Sequence, residues 1–221
     1  LEVIFVDGCS TDNTLKIISK YTRRHNYIKL VRQDCRKGYN AAVFDGFLNS
    51  TGDLIVITQA DALYDQDALK YMVRHFSNPK IGVVTGRQVV MNRNEGLAPR
   101  LETAYRTFYD FVRRAETKID SPFDIKGEIC AIRREILENL LTGNPKLLGK
   151  ACIDCCLSCQ ARLEGFRTVY EPEAKYYEYA PGNLKDRMKQ QIRRGTILIE
   201  SLLLYKKMLL NKMYGLFGLV I

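Results

Sequence analysis

Short, wholly apolar segments alternate with helix-like segments through the first ninety residues of the chain. Val3 to Val6 is followed, after a polar turn, by helical spacing from Thr14 to Tyr21, and the same unit begins again at Ile28. Strands that are apolar at every position are typically buried on both faces of a sheet. Their alternation with helices predicts an α/β fold with a mainly parallel, Rossmann-like sheet flanked by helices.

The same pattern places the individual elements. It predicts strands at 3–6, 28–31, 53–58, 81–85, 125–132 and 167–170, the last one stopped by Pro172. It predicts helices at 14–21, 40–48, 66–76, 102–118, 154–164 and 184–210. Because the last helix follows a Pro-Gly pair and is both basic and apolar, we expect residues 1–181 to form one domain and 182–221 a separate amphipathic element.

The positive charge of the chain is concentrated near its end. Lys and Arg number 34 against 25 Asp and Glu, a formal net charge of +9, and residues 182–221 hold eight basic and two acidic side chains. A positive charge favours an anionic partner, such as a nucleic acid, a phosphorylated substrate or a lipid surface. Since the excess lies in one amphipathic helix without a nucleic-acid recognition motif, we expect no nucleic-acid partner.

Seven cysteines, an odd number, argue against a disulfide framework and fit a reducing compartment. Four of them, Cys152, Cys155, Cys156 and Cys159, form a cluster that allows two interpretations. Cysteine pairs two residues apart are common in zinc and iron–sulfur sites. In a helix, however, this spacing places all four side chains on one buried face, and we favour that packing interpretation.

Polar residues follow the first three strands, at the point where each strand ends. Asp7 follows the first strand, the basic pair Arg36-Lys37 the second and Asp61 the third. Ligands of such sheets bind at the carboxyl ends of the strands, so these side chains are expected to share one crevice. Asp7 can accept hydrogen bonds from a base or a sugar, and Asp61 can hold a divalent cation that bridges a diphosphate. Taken singly, each acid also fits a plain turn or a helix cap.

Five short segments stand in an informative order. They are VDGCSTDNT (6–14), RKGYNAA (36–42), TGDLIVITQAD (51–61), CIDCCLS (152–158) and QQIRR (190–194). Together they resemble the family 2 glycosyltransferases of the GT-A fold, over essentially the whole chain. In the same order they are similar to the family's nucleotide-contacting acid loop, basic glycine loop, D-x-D metal motif, E-D helix start and Q-x-x-R-W motif.

The resemblance implies inverting transfer of a sugar from a UDP- or GDP-linked donor to a hydroxyl of a glycan or lipid-linked acceptor. It implies Asp154 as the catalytic base and Asp61 as a ligand of Mg²⁺ or Mn²⁺. The nucleotide-binding residues would be Asp7, Arg36, Lys37 and Asp61, and the acceptor or diphosphate would lie near Gly127, Gln190, Arg193 and Arg194.

The chain departs from the family motifs at three positions. Gln59 replaces the first D-x-D acid, Ile153 replaces the usual Glu before the base, and Arg194 replaces the motif's Trp. These departures keep a second function open, a non-catalytic module that binds a nucleotide sugar or a polysaccharide. The strand and helix that open the family's domain are also absent before Leu1, so we expect a fragment of a longer protein.

The last segment is expected to meet membrane lipid. Residues 196–210 carry Ile, Leu and Met between basic residues, a pattern typical of a helix at the bilayer interface. The resemblance implies that the uncharged run 214–221 begins a transmembrane helix. We therefore expect membrane association with the catalytic domain on the cytoplasmic side, which suits basic flanks and reduced cysteines. The alternative is that 197–210 packs on the domain and 214–221 is a tail.

Overall fold

Strands and helices alternate along the chain in the computed structural model, which describes residues 1–143, 153–211, 214 and 217. The strands are β1 (Val3–Asp7), β2 (Ile28–Arg32), β3 (Leu54–Thr58), β4 (Leu63–Tyr64), β5 (Ile81–Val90), β6 (Ile129–Arg133) and β7 (Arg167–Glu178). The helices are α1 (Thr14–Arg24), α2 (Tyr39–Leu48), α3 (Ala68–Val73), α4 (Leu97–Ile119), α5 (Arg134–Gly143), α6 (Ile153–Leu163) and α7 (Leu184–Leu204). The predicted α/β class is confirmed.

The described strands form two sheets. β1 and β2 make a parallel pair, and the other five strands are ordered β3-β6-β5-β7-β4. The longest pairing, nine residue pairs between β5 and β7, is also parallel. The antiparallel pairings of β6 with β3 and β5 and of β4 with β7 are shorter, with five, three and two residue pairs. Parallel pairing therefore dominates, while β6 inside the sheet and β4 at its edge run antiparallel to their neighbours, which local patterning does not reveal.

Strand β7 continues beyond Pro172, where the sequence analysis wrongly ended it. Gly86 pairs with Glu171, but the next residue of β5 pairs with Lys175, so residues 172–174 form a bulge. Proline is tolerated at a bulge because its missing N–H is not needed by the ladder. The carbonyl of Ala174 approaches Gly86 so closely that a Cβ there would clash. This close approach explains the glycine in the middle of β5.

The five-stranded sheet carries a hydrophobic cluster on each face. Val83 of β5 packs with Leu137 of α5 and Leu157 of α6 on one face. Its neighbour Val84 packs with Met72 of α3 on the other face, in a cluster that also holds Tyr176 of β7. Successive strand residues point to opposite faces, so a strand that is apolar throughout supplies both clusters. The five-stranded sheet is covered on both sides, as predicted, whereas Val3 and Phe5 of β1 in the two-stranded sheet are exposed.

The cysteines of α6 belong to the core. Cys155, Cys156 and Cys159 are buried, and the last two lie in the cluster formed with α5. Burial also raises the pKa of the Cys159 thiol, as expected for a thiol that packs as a small apolar group. The packing interpretation is confirmed for these three residues, whereas Cys152 lies outside the described residues.

Helix α7 ends at Leu204 and not at Leu210 as predicted. A short 3₁₀ turn follows at Lys206–Met208, and Tyr205, Met208 and Phe217 are buried in the cluster beneath α6. These residues pack on the domain because their aromatic and thioether groups complete its core. Among the described residues, no helix is long and apolar enough to cross a bilayer.

Glu2 joins the two sheets. Its Oε1 accepts hydrogen bonds from the amides of Thr51 at 2.5 Å and Gly52 at 3.1 Å, just before β3. Its Oε2 pairs with Lys29 of β2 at 2.8 Å. The Lys29 ammonium, followed by the Thr51 amide, lowers the pKa of Glu2 from 4.5 to about 2. The ionised carboxylate therefore connects β1 and β2 to the residues that directly precede β3.

A lowered folded-state pKa means that Glu2 stabilises the fold above its unfolded value and loses this contribution as the pH falls towards about 2. We predict that Glu2→Gln lowers the urea midpoint at pH 7 and that its difference from the wild type shrinks between about pH 5 and pH 3. Glu138→Gln, which removes an exposed acid of α5, is the control for loss of one charge. A difference in urea midpoint between Glu2→Gln and the wild type that stays constant with pH would contradict this role of the Glu2 carboxylate.

Candidate functional site

Asp7 ends β1 with its carboxylate in the protein interior. The residue is 4% exposed, and its Oδ2 accepts a hydrogen bond from the Ser10 amide at 3.2 Å. Its Oδ1 is buried and has no hydrogen-bond partner among the described residues. Since buried polar atoms are nearly always hydrogen-bonded, this oxygen indicates the place of a ligand that donates hydrogen bonds.

A cavity of about 390 Å³ opens next to Asp7. It is lined by residues 8–12 of the loop after β1 and by Arg36 of the loop after β2. The parallel pairing of β1 with β2 brings these loops to one edge of the sheet. Lys37 is exposed beside Arg36, and Gly38, with a φ of 89°, precedes α2. The structure thus brings the loop of Asp7 and Arg36 together at one crevice.

Asp154 lies in the first turn of α6 with Gly127 directly against it. A Cβ on residue 127 would come within 2.6 Å of the Asp154 Oδ2. The Gly127 carbonyl also accepts a hydrogen bond of 3.3 Å from the Tyr39 hydroxyl at the start of α2. The missing side chain of Gly127 therefore makes room for the carboxylate, and Tyr39 links this place to the basic loop.

Residues 124–128 hold Gly127 in place. They form a loop and not the start of a strand as predicted, because hydroxyl groups from three elements bind their backbone. Tyr109 of α4 donates to the Asp124 carbonyl at 2.7 Å, and Tyr64 of β4 donates to the Glu128 carbonyl at 2.9 Å. Thr85 of β5 accepts from the Lys126 amide at 3.0 Å. The position opposite Asp154 is therefore fixed from several sides.

Lys126 is a residue of this region that the sequence analysis missed. Its side chain is 12% exposed, with the ammonium 4.6 Å from the centre of the Tyr109 ring and 4.0 Å from an Asp124 oxygen. Burial lowers the pKa of Lys126, the Asp124 carboxylate opposes the shift, and Arg106 and Arg194 add to it. The sequence signal for Lys126 was its position directly before Gly127, which was itself predicted to lie near the acceptor or diphosphate.

Asp61 lies on the other sheet, in the exposed turn between β3 and β4. The pairing of β4 with β7 places this turn near Glu178, the last residue of β7. Burial raises the pKa of Glu178, and the negative charges of Glu128 and Asp61 raise it further. Acidic groups that lie close together favour a cation between them, because the cation relieves their repulsion.

The residues around Asp61 fit a divalent cation that is bound together with a phosphate ligand. The described part of the chain has no group of three His, Cys, Asp or Glu side chains placed to hold a metal alone. Mg²⁺ and Mn²⁺ prefer hard oxygens and often take one or two protein carboxylates plus phosphate oxygens. Asp61 supplies such an oxygen, while Gln59, which replaces the first acid of the motif, is half-buried.

Helix α7 turns only part of its predicted motif towards the domain. Arg194 pairs with the buried Glu102 of α4 at 3.6 Å, and Gln191 donates to the same carboxylate at 3.2 Å. Arg193 is exposed and Gln190 is half-buried. Glu102 and Gln191 were not among the predicted site residues, although Gln191 and Arg194 are three residues apart and thus share a helix face.

The family model of Glycosyl transferase family 2 matches residues 1–141. Poly-beta-1,6-N-acetyl-D-glucosamine synthases from Staphylococcus aureus and Staphylococcus epidermidis are 26% and 24% identical to the chain over 193 residues. The alignments cover 87% of this chain and 46% of each synthase. The chain therefore spans about half the length of the curated relatives it matches.

Solved glycosyltransferase structures share the fold. The mannosyltransferase PcManGT from Pyrobaculum calidifontis, in complex with GDP-Man and Mn²⁺, has a TM-score of 0.76 at 28% identity, covering 94% of this chain and 55% of that one. GalNAc-T7 with UDP, GalNAc and Mn²⁺ has a TM-score of 0.62 at 17% identity, covering 80% of this chain and 37% of that one, a likeness of fold alone. The matched family and these neighbours agree with the resemblance carried by the motifs: the chain has the GT-A fold and belongs to glycosyl transferase family 2.

Proposed function

We propose that the chain transfers a sugar from a UDP- or GDP-linked donor to a hydroxyl of a glycan or lipid-linked acceptor, with inversion at the anomeric carbon. The observation that carries the proposal is the buried Oδ1 of Asp7 beside a cavity lined by Arg36. A hydrogen-bond acceptor close to a cation suits a nucleoside followed by its phosphates. GDP-Man in the PcManGT complex and UDP in the GalNAc-T7 complex support this donor class.

In the proposed complex, Asp7 binds the nucleoside while Arg36 and Lys37 face the diphosphate. Asp61 would hold Mg²⁺ or Mn²⁺, which would neutralise the negative charge of the diphosphate and so make it a better leaving group. The Mn²⁺ present in the PcManGT and GalNAc-T7 structures supports a divalent cation. The chain's own cations add to this neutralisation, since preorganised charge stabilises the leaving group as its negative charge develops.

Asp154 is the proposed catalytic base. The acceptor oxygen attacks the anomeric carbon, its proton passes to the Asp154 carboxylate, and the bond to the diphosphate oxygen breaks on the opposite face. The start of α6 stabilises the ionised carboxylate, because helix N-termini favour negative charge. Gly127 leaves room for this carboxylate, and Gln190, Arg193 and Arg194 are proposed to face the acceptor or diphosphate, Arg194 from the inward side of α7.

A non-catalytic binding module is the second candidate, because Gln59 and Ile153 replace two motif acids. Such a module would retain the nucleotide site at Asp7 and lack turnover. Metal-dependent hydrolysis or transfer of a UDP- or GDP-sugar by the protein would contradict this candidate. The same assay therefore separates the two functions.

Nucleotide binding tests the proposal directly. We predict that UDP or GDP binds in calorimetric titrations, more tightly with Mn²⁺ than without it. Asp7→Asn should weaken this binding about tenfold or more, because a charged hydrogen-bond acceptor is lost. Asp53→Asn, at an exposed acid before β3, is the matched control. Binding of neither nucleotide by the wild type would overturn the proposed function.

Two substitutions at the base test the transfer step. Asp154→Asn should lower turnover by about 10²–10⁴-fold while nucleotide affinity is retained, because a general base acts on the acceptor and not on the nucleotide. Gly127→Ala should have a similar effect with little loss of melting temperature, since the methyl group displaces the Asp154 carboxylate and no backbone atom. Asp67→Asn, at the exposed start of α3, is the control. Normal turnover in Asp154→Asn would exclude Asp154 as the base.

We further propose that residues 182–221 bring the transferase domain, residues 1–181, to the cytoplasmic face of an anionic membrane. One face of α7 packs on the domain, and the opposite side exposes Met188, Ile192, Ile199 and Leu203. These positions lie on one stripe of the helix, and the neighbouring Lys185 and Lys189 are exposed. An exposed apolar stripe with basic flanks suits the interface of anionic lipids.

The buried positions of Tyr205 and Met208 make exposed α7 residues the better test of membrane binding. We predict that the protein sediments with anionic liposomes at low salt and that the double variant Ile192→Ser/Leu203→Ser loses most of this binding. Ile17→Ser/Tyr21→Ser on α1, which removes two similarly exposed apolar side chains, is the matched control. Equal sedimentation of the two double variants would show that α7 is not the membrane contact.

A further inference from the structure

Glu102 of α4 is buried among three arginines from two helices. Its carboxylate is 2% exposed, and its Oε1 lies 2.7 Å from Arg106 Nη2 and 3.6 Å from Arg194 Nη1. Its Oε2 lies 3.3 Å from Arg187 Nε and accepts a hydrogen bond from Gln191 Nε2. One carboxylate therefore connects α4 to three side chains of α7, at positions i, i+4 and i+7.

The arginines around Glu102 are held close together mainly by this carboxylate. Arg106 is almost fully buried, and its Nε and Nη1 have no hydrogen-bond partner among the described residues. Arg106 also lies against the rings of Tyr105 and Tyr109, which add cation–π attraction but no negative charge. Without Glu102, like charges would face one another at low dielectric, where repulsion is strong.

Arg194 extends from this cluster towards the site. It is close enough to Lys126 to lower the pKa of that lysine, and close enough to Glu178 to oppose the rise of its pKa. Lys126 precedes Gly127, which lies against Asp154, and Glu178 is the acid beside Asp61. The Tyr109 ring, with Arg106 5.9 Å and Lys126 4.6 Å from its centre, connects the Glu102 cluster that holds Arg194 with the loop of Gly127.

We propose that Glu102 is a positioning residue that fixes Arg194 of α7 for the phosphate end of the donor, a role that rests on the proposed sugar transfer. Glu102 is distant in sequence from every motif of the site and acts through the guanidinium it holds. The same contact explains the arginine at position 194, where the resembling motif has tryptophan. A buried carboxylate opposite this position suits a guanidinium and disfavours an indole.

The test compares nucleoside diphosphates with nucleoside monophosphates. With Mn²⁺ present, Glu102→Gln should weaken UDP or GDP binding about tenfold or more, as outer-sphere positioning groups do. Binding of UMP or GMP should change by less than about twofold, because the nucleoside end at Asp7 is untouched. Glu171→Gln is the matched control, since Glu171 is also buried and held by two side chains, Arg74 and His75, remote from α7.

A double-mutant cycle separates positioning from stability. If Glu102 acts through Arg194, Glu102→Gln/Arg194→Gln should bind UDP or GDP no more weakly than Arg194→Gln alone. Additive losses, or equal losses for diphosphates and monophosphates, would overturn the proposal. Glu102→Asp, which keeps the charge, should retain most of the affinity. If Glu102→Gln fails to fold, Arg194→Gln alone should still lose affinity for UDP or GDP and not for UMP or GMP, and equal losses for both would overturn the proposal.

The outcomes also distinguish this proposal from the proposed function. A wild type that binds neither UDP nor GDP removes both. A wild type that binds them, together with a Glu102→Gln variant that binds them equally well, removes the positioning role alone. Thermal melting of Glu102→Gln and Glu171→Gln shows whether the two variants lose stability to a similar degree. If they do, a larger loss of diphosphate binding in Glu102→Gln than in Glu171→Gln comes from the positioning of Arg194 and not from lower stability.

Discussion

The parallel pairing of β5 with β7 is the constraint on which the site depends. Helix α4 follows β5 and helix α7 follows β7, and the two helices contact each other after leaving neighbouring strands. Glu102 and Arg194 meet because of this arrangement. The same β5 supplies Thr85, whose hydroxyl holds the loop that carries Gly127 opposite Asp154. Both halves of the proposed chemistry are thus positioned from one pair of strands.

Local pattern was enough to predict the elements whose burial is set by neighbouring residues. The apolar run of β3 was found from sequence because both of its faces are covered, and the cysteine face of α6 followed from its spacing. The run of β1 was found as well, although Val3 and Phe5 on one of its faces are exposed. Helix α5 was missed because it begins directly after β6 without a cap signal. The direction of β6 depends on the long connection through α4, which leaves no mark in the strand itself.

The candidate site was predicted where an acid follows a strand and missed where a charge is buried on a helix face. Asp7 and Asp154 stand at element ends, where polar residues are expected and easily noticed. Glu102 and Lys126 are surrounded by residues from distant parts of the chain, so only the tertiary structure shows that they are buried and paired. A charged residue in an amphipathic helix is normally solvated, which is why periodicity alone gives no reason to select Glu102.

The bulge in β7 has a consequence for how this sheet tolerates changes in chain length. Three residues on β7 are unpaired opposite β5, so the ladder resumes with an odd offset. Side chains alternate between faces along a strand, and an odd offset exchanges the faces of all residues that follow. The bulge therefore decides that Tyr176 enters the core and that Glu178 ends near Asp61. The number of residues in this short segment therefore matters more than their identity. Gain or loss of a single residue would move the side chains at the end of β7 to the opposite faces of the sheet, whereas a change of two residues would keep them on the same faces.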